Sequence, residues 1–150
     1  MRKSKTKFSE AQLTISFKPS VHPVKIMDKH DAESFLHSIW DSELINLQEQ
    51  LYALYLNQKS EVICWRCLHT GTITSSEVDV RLLFGFALGC CAVAVIIAHN
   101  HPSGNPHPSQ ADIDLTKKVK QGGALLDISL VDHLIFAKGE VLSLRDNHLI

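Results

Sequence analysis

The 150-residue chain suits one compact domain with a single core, and its 45% hydrophobic content is that of a globular protein rather than a disordered one. With 15 Lys and Arg against 16 Asp and Glu, the net charge of -1 creates no global positive field that would advertise a nucleic-acid partner. The longest uninterrupted apolar run, Cys90 to Ala98, falls far short of the roughly 20 residues that cross a bilayer, so a soluble, cytoplasmic protein is expected.

Arg2, Lys3, Lys5 and Lys7 make a basic N-terminal segment that could touch phosphates, with a solvated tail as the plainer reading. No apolar core follows it, so it does not read as a signal peptide. Leu13, Ile15 and Phe17 alternate with polar residues and predict a short edge strand closed by Pro19 and Pro23. Residues 1–30 are therefore read as a basic tail and short strand, ahead of a single domain over 31–150. Asp31 stands before Ala32, Phe35, Leu36, Ile39 and Trp40, an apolar stripe that predicts a capped helix of about three turns. From Glu49 to Leu56 the chain is apolar on nearly both faces, as a central strand requires. The turn residues Asn57-Gln58-Lys59-Ser60 then lead to Val62, Ile63, Trp65 and Leu68, predicting an antiparallel hairpin that Gly71 ends.

Asp79 is placed to cap a helix carrying Val80, Leu83, Phe84, Ala87 and Leu88 and finishing near Gly89. The Val/Ile-rich run from Ala92 to Ala98 predicts a buried strand. Ser109 is a helix N-cap with Asp112 at the third helical position, where exposed amides favour a carboxylate. Ile113, Leu115, Thr116 and Val119 form the apolar face of that helix, Lys117, Lys118 and Lys120 suit its last turn, and Gly122-Gly123 are predicted to stop it. Leu126, Ile128 and Leu130 alternate as a strand, and Leu134–Ala137 and Val141–Leu144 flank Lys138-Gly139-Glu140 as a closing hairpin. The expected fold class is α/β, a mainly antiparallel mixed sheet flanked by helices.

Cys64 and Cys67 have the gap of a zinc knuckle, but Cys90 and Cys91 are adjacent and do not complete one. Three residues apart on a strand, Cys64 and Cys67 face opposite ways, so all four cysteines read as free core thiols without a disulfide framework.

The strongest chemical signal lies between His99 and Asp112. Two histidines one residue apart at a strand end share one side of the chain and can reach one ion. Eleven residues after His101, Asp112 offers a carboxylate, and the prolines and glycine between favour a fixed turn over a flexible tether. Three protein ligands leave a tetrahedral zinc one ligand short, the arrangement of a catalytic site; iron, manganese or nickel would accept the same donors. A water activated there needs a base. Glu49, an acid at the entry of an apolar strand, competes for that job with Glu77 in the polar segment Thr74-Ser75-Ser76-Glu77. Asn100 faces away from its neighbours. His107 reads as a solvated loop residue, with an approach to the metal as the alternative. Asp132-His133 reads equally as a support for the site, a substrate contact or a structural pair at a strand end.

His99-x-His101, seven residues, then Ser109-x-x-Asp112 resembles the signature of the JAMM (JAB/MPN) metalloprotease superfamily. His99-Asn100-His101-Pro102-Ser103-Gly104, Pro108-Ser109-Gln110 with Asp112, and Asp132-His133-Leu134-Ile135 narrow the resemblance to the RadC branch, over about Glu49 to Ser143. The resemblance implies a JAMM/MPN-like, cytidine-deaminase-like architecture with one zinc per chain on His99, His101 and Asp112. It implies Glu49 as the acid/base that activates water, Ser109 as an oxyanion donor, and hydrolysis of a peptide or isopeptide amide in a peptide or protein substrate. It also implies two alternatives, a DNA-repair-associated accessory protein and a non-catalytic metal-binding module. Longer RadC proteins carry an N-terminal helix-hairpin-helix region; the 48 residues before Glu49 show one evident helix, so a short form lacking that region is expected, with direct DNA association correspondingly weaker.

Overall fold

The computed structural model describes residues 14, 16, 22–71 and 78–150. The basic segment, the strand expected at Leu13, Ile15 and Phe17, and Glu77 lie outside the described residues.

The elements run α1 (Lys29–Ile39), β1 (Gln50–Leu56), β2 (Val62–Thr70), α2 (Val80–Gly89), β3 (Ala94–Asn100), α3 (Gln110–Leu125), β4 (Ser129–Ala137) and β5 (Glu140–Ser143). The strands form one mixed sheet in the order β2-β1-β3-β4-β5. All pairings are antiparallel except β3 with β4, which α3 connects as a crossover. The fold is thus the expected α/β arrangement. Every residue of β1 is buried, which fits its place between β2 and β3 and explains its lack of a polar face.

Alternation along the strands divides the core in two. Leu51, Ala53, Tyr55, Val95 and Ile97 pack with Leu83, Phe84 and Ala87 of α2 and Leu115 and Val119 of α3. On the other face, Tyr52, Leu54, Ile96, Ala98, Leu134 and Phe136 pack with Ala32, Leu36 and Trp40 at α1. Cys64 joins the first cluster and Cys67 the second, as their spacing requires; all four cysteines are free, but none is fully buried, Cys64, Cys67 and Cys90 being half-buried and Cys91 exposed. Among the described residues, no helix is long and apolar enough to cross a membrane.

Several element ends differ from the expectation. Asp28, not Asp31, is the N-cap of α1: its carboxylate accepts from the Asp31 amide, while Asp31 accepts from the Met27 amide at 2.8 Å. α3 does not stop at Gly122-Gly123 but continues to Leu125, which leaves Lys117, Lys118 and Lys120 in mid-helix on exposed positions. These glycines serve close packing. A Cβ on Gly123 would stand 2.2 Å from the Ile128 carbonyl oxygen, and one on Gly122 would stand 2.9 Å from the Phe84 ring. Leu126 is the C-cap of α3 rather than a strand residue, and β4 runs unbroken from Ser129. Leu88, expected on the apolar face of α2, is 55% exposed.

Candidate metal centre

β3 starts at Ala94 and extends through His99 and Asn100, two residues beyond the apolar run that marked it. Its antiparallel register with β1 sets His99 beside Leu51, and its parallel register with β4 sets His99 beside Ile135. His101, just past the strand, is held by its amide, which donates to the Phe136 carbonyl at 2.8 Å. The chain then turns tightly: the Gly104 amide donates to the His101 carbonyl at 2.9 Å. Gly104 has φ +84°, and a Cβ there would meet the Lys138 side chain at 2.6 Å, so both backbone and space call for glycine. At the loop's end Ser109 caps α3. Its hydroxyl oxygen accepts from the Asp112 amide at 3.2 Å and its own amide donates to Asp112 Oδ2 at 2.7 Å, a reciprocal capping box.

The strand end and the helix start bring three donor atoms together. His99 Nε2 lies 2.9 Å from His101 Nε2 and 3.1 Å from Asp112 Oδ1, and His101 Nε2 lies 3.4 Å from Asp112 Oδ2. Ligands bound tetrahedrally to zinc at about 2.0–2.1 Å stand about 3.3 Å from one another, so the cluster fits an ion of that size with adjustments of a few tenths of an ångström. His101 Nδ1 donates to the Asn105 carbonyl at 2.7 Å, which leaves Nε2 with a lone pair for a metal. Among the described residues, these three form the group of His, Cys, Asp and Glu side chains close enough to share an ion. The His99 and Asp112 side chains are closed from solvent, whereas that of His101 is 12% exposed and marks the open side.

Burial alone would push the Asp112 carboxyl up, but its contacts with His101, His99 and the Ser109 hydroxyl outweigh it and hold the carboxyl well below the usual carboxylate range. Asp112 is therefore an anion, as a metal ligand must be. The same hydrogen bond to Asp112 raises the His101 pKa above its ordinary value, against partial burial and with further help from Asn105 and the negative charge of Glu49.

That contribution from Glu49 reflects its place in the sheet. Glu49 immediately precedes β1, and its carbonyl accepts from the Gly71 amide at 2.8 Å. Two residues along from the Leu51–His99 pair, the strands reach Glu49 and His101. Between them Asn100, fully buried and facing away from the two histidines, binds the backbone around Glu49. Asn100 Oδ1 accepts from the Gln50 amide at 2.7 Å, and its Nδ2 donates to the Ile45 and Gln48 carbonyls at 2.6 and 2.8 Å. His107 is exposed in the loop and is not part of the cluster.

The residue pair Asp132-His133 divides into separate jobs. Asp132 accepts from the His133 and Arg145 amides and from the Ser143 hydroxyl, tying β4 to β5 and the turn after it. His133 points into the site. Its Nε2 lies 2.8 Å from His99 Nδ1 and its Nδ1 lies 2.6 Å from the Thr116 hydroxyl oxygen. Complete burial pushes its pKa well below the ordinary 6.5. By sequence Thr116 falls on the apolar face of its helix; the signal of a further role is its position four residues after Asp112, one turn along the same side of α3.

A family model described as the RadC-like JAB domain matches residues 26–149. A UPF0758 protein of Methanospirillum hungatei is 45% identical over 113 residues, covering 73% of this chain and 50% of that protein. A UPF0758 protein of Shouchella clausii is 46% identical over 99 residues, covering 66% of this chain and 43% of that protein. A UPF0758 protein of Clostridium botulinum is 34% identical over 135 residues, covering 90% of this chain and 58% of that protein. The chain thus spans about half the length of the curated relatives it matches.

Proposed function

This chain belongs to the RadC-like JAB domain family, and from that membership and the geometry of its site we propose that it is a zinc-dependent hydrolase of peptide or isopeptide amide bonds. The observation that carries the reading is the convergence of His99 Nε2, His101 Nε2 and an ionised Asp112 within about one coordination sphere, with His101 on an open side. His99, His101 and Asp112 would hold the metal. When bound, a zinc ion supplies Lewis acidity toward a carbonyl and lowers the pKa of water to about 7.

Glu49 takes the proton of the attacking water and delivers it to the departing amine, so one carboxylate serves as base and then as acid. Its fixed backbone supports this assignment: Asn100 binds the residues on both sides of it, which limits how far the carboxylate can drift from the metal ligands. Ser109 has a second job beyond the helix cap. Its hydroxyl donates to Asp112 Oδ2 at 2.7 Å, and turned toward substrate it would oppose the charge that develops on the carbonyl oxygen.

The test is metal analysis and amide hydrolysis on the purified chain, with fluorogenic linear peptides and peptides joined through a lysine side chain as probes. One zinc per chain is expected, lost in Asp112→Ala. Glu49→Gln should keep its zinc and lose turnover. Zinc content unchanged by Asp112→Ala, or hydrolysis undiminished in Glu49→Gln, would overturn the assignment.

A further inference from the structure

We propose that His133 and Thr116 are positioning residues that fix the tautomer of His99, presenting its Nε2 to the metal as a bare lone pair. The inference rests on the metal-site reading above but is decided by the direction of three hydrogen bonds. The Thr116 hydroxyl has a single hydrogen, and the hydroxyl lies 2.6 Å from the carbonyl oxygen of Asp112, which can only accept. With its hydrogen given to that carbonyl, the Thr116 oxygen accepts from His133 Nδ1, 2.6 Å away. The hydrogen of a neutral His133 therefore sits on Nδ1, and its Nε2 is a lone pair.

That lone pair faces His99 Nδ1 at 2.8 Å and accepts its hydrogen. His99 is left with a bare Nε2, the atom that faces His101 and Asp112. The opposite arrangement fails at Thr116. If His133 Nε2 donated, a neutral His99 would accept at Nδ1 and carry its own hydrogen on Nε2, toward Asp112 Oδ1. His133 Nδ1 would then be a second acceptor, and the Thr116 hydroxyl has one hydrogen for it and the Asp112 carbonyl together.

The chain of bonds starts on the backbone of Asp112, whose side chain is the third ligand. α3 thus delivers one ligand and, one turn later, sets the orientation of another. His101 is set by a separate device, the Asn105 carbonyl. The His133 ring is fully buried, with apolar Leu134, Ile135 and Phe136 following it on the strand, and a polar ring there is costly unless both nitrogens are paired.

The experiment reads the ring nitrogens of His99 by ¹⁵N NMR in metal-free protein, and zinc affinity by competition with a chromophoric chelator. Wild type should show His99 with its hydrogen on Nδ1; a hydrogen on Nε2 overturns the proposal without any variant. Thr116→Ser, which keeps the hydroxyl, should retain tautomer and affinity. Thr116→Val, of nearly the same shape, should release the tautomer and weaken zinc binding about 10- to 100-fold. His133→Phe should weaken it similarly. A Thr116→Val protein with both readouts unchanged overturns the proposal while leaving the hydrolase reading intact. Absence of zinc binding by wild type overturns the hydrolase reading instead, and the metal-free spectrum still decides the tautomer.

Discussion

The side-chain oxygen of Asn100 accepts the amide of Gln50 at 2.7 Å, and through that bond the strand bearing the metal ligands grips the strand entry bearing Glu49. His99 and His101 face one side of β3 while the residue between them faces the other, so a single three-residue stretch addresses both the metal and the proposed base. Replacing Asn100 with Ala strands one buried amide and two part-buried carbonyls, and we expect a loss of about 3 kcal/mol in urea unfolding. Zinc stoichiometry should survive, because none of the ligands depends on Asn100, whereas hydrolysis should fall in protein that is still folded. Wild-type stability in Asn100→Ala would show that the clamp holds nothing.

Ser109 separates its two jobs under substitution. Both capping bonds belong to the structure as it stands, and Ser109→Ala should cost about 1 kcal/mol of stability. Glycine is a better cap than alanine, so Ser109→Gly should cost only a few tenths of a kcal/mol on the same scale. If the hydroxyl also opposes charge on the substrate, Ser109→Gly should still lower kcat by about 10²- to 10³-fold. A glycine variant whose kcat stays near wild type would leave Ser109 with the cap alone.

The adjacent glycines of α3 give opposite expectations. At Gly123 a new Cβ would stand 2.2 Å from the Ile128 carbonyl oxygen, and backbone there can yield only by shifting the entry to β4. Gly123→Ala should cost about 3 kcal/mol or more. At Gly122 the clash is with the edge of the Phe84 ring, a side chain that can move, and the gain of about 1 kcal/mol in helix propensity offsets it. Thermal unfolding of the two variants should differ widely, and equal midpoints would refute the packing account of this pair.

That pair also shows where the sequence stopped being readable. Glycine marks a helix end when it supplies a left-handed residue, and neither Gly122 nor Gly123 does; what each accommodates is a distant group, Ile128 or Phe84. Local chemistry was legible: Asp79 and Ser109 cap their helices as read, β1 lacks a polar face, and alternation brings His99 and His101 together. The relay from Asp112 through Thr116 and His133 to His99 was not, since it depends on the parallel pairing that sets His133 opposite Ile97. The nearness of Glu49 to His101 likewise follows from strand register, which no local spacing declares.

The pH dependence of the metal-free protein should have a maximum, because two histidines act with opposite signs. Hydrogen bonding to Asp112 raises the folded pKa of His101 above its ordinary 6.5. Its contribution is complete below about pH 6.5 and is lost as pH rises through the folded value. Burial lowers the folded pKa of His133 well below 6.5, so its contribution is present above about pH 6.5 and is lost as pH falls toward the folded value. Asp112, with its depressed carboxyl, adds a further loss only in stronger acid. Urea midpoints of metal-free protein should therefore peak near pH 6.5 and fall on both sides. Zinc should remove the alkaline limb, since a metal on His101 Nε2 competes with the proton there and binds better as pH rises. His101→Gln should lose that limb without zinc. A metal-free midpoint that climbs steadily from about pH 6 to about pH 8.5 would mean that the His101–Asp112 contact contributes no proton-linked stability.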